Sequence, residues 1–224
     1  PAFVATLGGW LVYRGLLSLT LAGSGTVIIP DESFNALGNG FIPDLFPANS
    51  GFLPGVHKLT LLLGLAAIVL FIVSDINSRR KKQAYGFEVL PASLNTLKLV
   101  FIAVVLGAIT WVLAGYNGLS WTSVIMLIVV AVYQFMTTQT VLGRHIYAIG
   151  GNPEAAQLSG INVKRITLFV FASMGFLSAL AGVLFAARLR SATPTAGNGF
   201  ELDAIASAFI GGASPAGGVG TTAA

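Results

Sequence analysis

The chain has 224 residues, of which 55% are hydrophobic and 9% charged, with twelve Lys and Arg against eight Asp and Glu and a mean hydropathy of +0.84. A soluble domain carries about 25% charged residues, so too few remain here to cover a folded surface in water. A disordered chain, a nucleic-acid-binding arm and an ordinary water-soluble enzyme are excluded. So are disulfides, thiolate metal sites and a cysteine nucleophile, because the chain has no cysteine.

About 20 apolar residues cross a hydrocarbon core of about 30 Å as a helix. In lipid the backbone must satisfy its own hydrogen bonds, so each such run is predicted to be helical. Five spans are expected, near 2–22, 56–74, 97–115, 119–139 and 166–189. The first is broken only by Arg14. Between it and the second, residues 23–55 hold Pro30, Pro43, Pro47 and Pro54 with Asp31, Glu32 and Asp44, and read as an aqueous loop with room for a short surface helix. Residues 75–95 carry Arg79, Arg80, Lys81 and Lys82 and read as a second aqueous loop. Residues 116–118 form a tight turn, and 140–165 a longer polar loop. After the fifth span, 190–203 is a further loop. The tail from Ala204 is apolar, but Gly211, Gly212, Pro215, Gly217 and Gly218 interrupt it. It reads as a broken or re-entrant segment, tolerated at membrane depth when packed in protein or lining a cavity.

Charge asymmetry sets the orientation. If the spans alternate, one side holds eight basic residues: Arg79, Arg80, Lys81, Lys82, Lys98, Arg144, Lys164 and Arg165. The other holds three, Lys58, Arg188 and Arg190. Basic residues concentrate on the cytoplasmic side. Loops 75–95 and 140–165 are therefore expected in the cytoplasm, and 23–55, 116–118 and 190–203 outside. The fold class is all-α, a polytopic transmembrane helix bundle.

The most informative segment runs from Gly143 to Ile161. Asn152 is suited to cap a helix whose first position is Pro153, with Glu154 favourable in its first turn and Gly160 as its stop. The expected result is a short helix of about two turns with a small apolar ridge at Ala155, Ala156 and Leu158. Such a knob suits docking into a partner's groove; the alternative is a surface helix that packs on its own bundle.

Glu154-Ala155-Ala156, three residues and then Gly160 resembles the EAA-type loop of bacterial ABC-importer permeases. The wider string GRHIYAIGGNPEAAQLSGINV closely resembles the sugar permeases of the ribose/xylose/arabinose group. ELDAIASAFIGGASPAGGVGT, from Glu201 to Thr221, resembles that group's second signature, and the opening PAFVATLGGWLVYRG a third. RRKKQAYGF, at Arg79 to Phe87, is most similar to the xylose-type branch.

The resemblance implies a fold of roughly ten spans, of which this chain is a middle portion. It implies a transporter of a small sugar, xylose or a related pentose, without catalysis of its own. It also implies a second permease copy, two cytoplasmic ABC ATPase subunits that bind ATP and Mg, a periplasmic sugar-binding protein and a bacterial cytoplasmic (inner) membrane location. By the same resemblance, Arg144, Asn152, Glu154, Ala155, Ala156, Ser159 and Gly160 belong to the segment that couples to the ATPase.

Other candidates rest on the residues alone. A charge within a span costs a few kcal/mol unless it faces the bundle or snorkels. Arg14 therefore either snorkels or pairs structurally, or it lies near a translocation path, for which Asn198, Gly211, Gly212, Gly217 and Gly218 are further candidates. Glu201 and Asp203 are placed to cap the helix of the tail or to pair with Arg188 or Arg190; alternatively these outer charges meet the binding protein. Trp10, Trp111 and Trp121 read as interfacial anchors or packing groups. Arg79 to Lys82 are suited to anionic lipid. Gly217-Gly218-Val219-Gly220 is no phosphate loop, having neither a following Lys-Ser/Thr nor a preceding strand. No cofactor is expected in this chain, no metal and no nucleic-acid partner. An ion-coupled carrier or channel would need intramembrane carboxylates, and the five expected spans hold none. An intramembrane enzyme lacks a plausible catalytic set.

Overall fold

The computed structural model describes residues 2–23, 25–44, 56–86 and 91–220. Pro47 and Pro54 of the expected external loop, Phe87 of the basic string and Thr221 of the tail signature lie outside the described residues. Among the described residues the protein is all-α apart from one pair of two-residue strands. It divides into two units, Phe41–Ser120 on the one hand and Pro1–Gly40 with Trp121–Ala224 on the other.

The unit Phe41–Ser120 is built on α3 (Lys58–Ala84) and α4 (Ala92–Gly115), which pack on each other. The N-terminus of α3 is satisfied twice: Asp44 accepts from the amides of Lys58 at 2.9 Å and Leu59 at 3.3 Å, and His57 Nδ1 accepts from the Thr60 amide at 3.3 Å. Pro91 stands at the N-cap of α4, where its missing N–H costs nothing. The two helices meet closely where any Cβ on Gly64 would overlap the Thr110 side chain. Nearer the end of α3, Lys98 Nζ of α4 reaches Asp75 at 2.7 Å.

The other unit holds α1 (Ala2–Thr20), β1 (Val27–Ile28), α2 (Glu32–Asn39), α5 (Trp121–Gln139), α6 (Val141–Gly151), α7 (Pro153–Leu158), α8 (Val163–Leu189), β2 (Ser191–Ala192) and α9 (Phe200–Ile210). β1 and β2 pair antiparallel, Val27 opposite Ala192 and Ile28 opposite Ser191. Asp31 Oδ1 caps α2 through the Phe34 amide at 2.6 Å, and α2 packs on α5 and α8. Against α8 there is no room for a side chain: a Cβ on Gly38 would overlap the Arg188 backbone. Asn162 caps α8 through the Arg165 amide at 3.1 Å, and the helix ends at Arg190 in the left-handed region, φ 56°.

Four of the described helices, α3, α4, α5 and α8, are long and apolar enough to cross a membrane. Their flanks expose large hydrophobic side chains, Leu65 and Leu70 on α3 and Leu168 and Phe176 on α8 among them. Among the described residues the buried apolar side chains are small: Ala114, Ala156 and Ala187. Small residues let membrane helices approach closely, and the large ones are left on the exposed flanks.

The helices run past the limits that apolar runs set. α3 continues through Arg79–Lys82 to Ala84, so much of the expected loop 75–95 is helix. At 1.5 Å per residue its 27 residues reach about 40 Å, more than a hydrocarbon core of about 30 Å. Residues 140–165 hold, besides the expected short helix (α7), the helix α6 and the start of α8. Among the described residues the tail holds most of α9, which begins at Phe200 within the expected loop 190–203, and then turns.

Candidate functional site

Asn152 organises the segment that sequence reasoning singled out. Its backbone N–H closes α6 by donating to Ala148 O at 3.0 Å. Its side-chain oxygen opens α7 by accepting from the amides of Glu154 and Ala155, both at 3.0 Å. Pro153 occupies the first helical position of α7, and Glu154 its first turn. The helix stops in a six-to-one and five-to-two pair of hydrogen bonds, Ile161 N–H to Ala156 O at 3.1 Å and Gly160 N–H to Gln157 O at 3.0 Å. Gly160 adopts φ +84°, which a side chain would strain. Ser159 Oγ donates to Ala155 O at 2.9 Å.

Six residues between the Asn152 cap and this stop form a short peg. The apolar ridge divides across it. Ala156 is 4% exposed and faces the protein, whereas Leu158 is 90% exposed. Ala155, three residues before Leu158, is also exposed, as are Glu154, Ser159 and, on α6, Arg144. α7 packs on α6 and α8 through its inner face. The outward apolar surface is therefore Ala155 with Leu158, and Ala156 is excluded from it.

The glycine tail lies against the last turn of α6, a contact the sequence did not reveal. Gly211 and Gly212 terminate α9, with Ala213 N–H donating to Ala208 O at 3.0 Å. The chain then folds into a closed turn: Ser214 N–H donates to Val219 O and Gly217 N–H to Ser214 O, both at 3.0 Å. A Cβ on Gly217 would stand 2.7 Å from Gly150 O, and one on Gly218 would stand 2.9 Å from Gly151 Cα. Tyr147 Oη donates to Gly220 O at 2.7 Å. The signal was present as two glycine pairs, Gly150-Gly151 and Gly217-Gly218, but nothing local says that they meet.

Arg14 and Asn198, candidates 184 residues apart, are joined by a hydrogen bond from Arg14 Nη1 to Asn198 Oδ1 at 2.6 Å. The Arg14 guanidinium also sits 5.2 Å from the centroid of the Trp10 ring. Trp10 thus shares a cluster with Arg14, which its spacing did not reveal. Gly199, beside Asn198, is the N-cap of α9, and Phe200 packs edge-on against Phe185 of α8 at 5.1 Å.

Arg188 Nη1 donates to Asn39 Oδ1 at 3.2 Å, and Asn39 Nδ2 donates to Ala187 O at 2.8 Å. Among the described residues, Glu201 and Asp203 form no ion pair with Arg188 or Arg190. They lie in the first turn of α9, favourable to its dipole, but the cap itself is Gly199 and makes no side-chain hydrogen bond. Among the described residues no group of three His, Asp or Glu gathers to hold a metal.

A family model described as "Branched-chain amino acid transport system / permease component" matches residues 35–223. The chain belongs to this permease family. The xylose transport system permease protein XylH of Haemophilus influenzae is 39% identical over 224 residues, covering 99% of this chain and 55% of the relative. XylH of Escherichia coli K12 is 40% identical over 225 residues, covering 100% of this chain and 53% of the relative. The ribose import permease protein RbsC of Haemophilus influenzae is 58% identical over 96 residues, covering 43% of this chain and 30% of that relative. The chain spans about half the length of the XylH relatives it matches. No solved structure matches it. The permease is a multi-pass inner-membrane protein, and the XylH relatives match along the whole chain.

Proposed function

We propose that the permease is the membrane-spanning part of an ATP-binding-cassette importer. It moves a small sugar, xylose or a related pentose, into the cytoplasm. ATP is bound with Mg and hydrolysed on separate cytoplasmic subunits, and a periplasmic binding protein delivers the sugar to a pair of permease copies. The single observation that carries this reading is α7: a doubly capped peg with an apolar outward face, Ala155 and Leu158, fixed to α6 and α8 behind it. Such a peg suits a groove on the ATPase, and movement of the ATPase would push it as one body.

The basic side of the chain supports the orientation, since Arg144, Lys164 and Arg165 flank α7. The family is described by amino acid transport, whereas the long relatives are named for xylose and the shorter match for ribose. Both sugars are uncharged and polyhydroxylated, and need a wetted path with a few hydrogen-bonding groups. Arg14 and Asn198 are the polar pair proposed to lie beside that path.

The test is uptake of labelled xylose, ribose, arabinose, glucose and leucine by the full-length permease reconstituted with its ATPase and binding protein. ATP-dependent uptake of a pentose is expected. Uptake of leucine or of hexose alone would overturn the substrate, and uptake that persists without the ATPase would overturn the mechanism.

A further inference from the structure

The contact between the last turn of α6 and the 214–219 turn lies one residue from the Asn152 cap that begins α7. We propose that this backbone junction, made by Gly150, Gly217 and Gly218 and registered by Tyr147, transmits displacement of α7 to α9 during transport. The proposal rests on the importer reading above and assigns positioning roles to residues that reading does not use.

The path is continuous. Asn152 closes α6 with its backbone and opens α7 with its side chain, so the two helices turn on one residue. Displacing α7 therefore moves the end of α6. There the facing segment has no side chain to act as a cushion. A Cβ on Gly150 would overlap the Gly218 amide and stand 3.0 Å from Gly218 Cα. Gly217 and Gly218 hold φ +86° and +73°, so the turn cannot accept other residues without strain. Backbone pressed on backbone shifts as a unit or separates, as close-packed contacts do. Tyr147 lies one turn upstream on α6, and its hydroxyl holds Gly220 at 2.7 Å, which fixes where the turn sits along the helix. The turn is closed on itself and tied to the end of α9 through Ala213 and Ala208. At its other end α9 begins beside Asn198, the partner of Arg14. A push on α7 thus reaches the polar pair through two helices and one closed turn.

The test uses the full-length permease assembled with its ATPase and binding protein, with ATP hydrolysis and pentose uptake measured in the same vesicles. The variants are Tyr147→Phe, Gly218→Ala and, as a control, Gly175→Ala, whose added methyl would meet nothing within 4 Å. Removing one hydrogen bond should raise the ATP hydrolysed per sugar about fivefold in Tyr147→Phe, with basal hydrolysis retained. Gly218→Ala should raise it about tenfold or more, and Gly175→Ala should leave it unchanged. An unchanged ratio in Tyr147→Phe, or a proportional fall of hydrolysis and uptake, overturns the junction. If Gly218→Ala fails to assemble, Tyr147→Phe alone decides. A wild-type complex that shows no ATP-dependent sugar uptake would instead refute the importer reading.

Discussion

Between α3 and α4 the contact is made by side chains: the Thr110 side chain fills the space above Gly64, and Lys98 reaches across to Asp75 at 2.7 Å. Between α6 and the turn that follows α9 it is made by backbone, with glycines on both sides and one tyrosine hydroxyl beside them. Side chains have rotamers and can adjust by tenths of an ångström. A glycine crossing has no such slack. The first arrangement suits a pair of spans that stays together in lipid. The second suits a place where a displacement must arrive undiminished.

The difference can be broken most severely at α7. Gly160→Pro removes the donor that reaches Gln157 O and forbids the left-handed φ, and Ala155→Asp places a charge on the outward apolar face. Each should lower ATP-driven sugar uptake about tenfold or more while the protein still inserts, as judged by membrane fractionation beside the transport assay. The α3–α4 contact should respond in stability instead. Gly64→Val forces a branched side chain against Thr110 and should cost about 1–3 kcal/mol, read as a lowered Tm of the purified full-length protein.

Smaller changes sharpen the comparison. Asn152→Ala loses the cap of α7 and should cost about 1 kcal/mol locally. Hydrogen exchange at the Glu154 and Ala155 amides should rise, and that at α3 should not. Lys98→Met removes the ion pair to Asp75, but Lys98 is half exposed. The loss should stay within about 1 kcal/mol, with little change in Tm.

Much of α7 was legible in the sequence because its determinants are local. Asn152, Pro153 and Gly160 each act on neighbours within four residues, so their spacing alone marks the start and stop. The division of its ridge was not legible. A helix of six residues has too few turns for periodicity to say which alanine faces inward. Helix α3 outruns its apolar run for a different reason. Apolar runs report where lipid ends, not where the helix ends, and the Arg, Lys and Gln beyond Asp75 are good helix formers. Around Arg14 the need for a partner was readable from the charge. Its identity was not, because Asn198 is 184 residues away. The same holds for Tyr147 and Gly220, 73 residues apart.

Cysteine cross-linking between α7 and the ATPase tests the account most directly. The comparison is Leu158→Cys with Ala156→Cys in the full-length permease, each paired with cysteines placed along the ATPase surface. An ATPase cross-link is expected from position 158, which faces outward, and none from position 156, which faces the protein. Cross-linking from position 156 without any from position 158, or from neither, would contradict it.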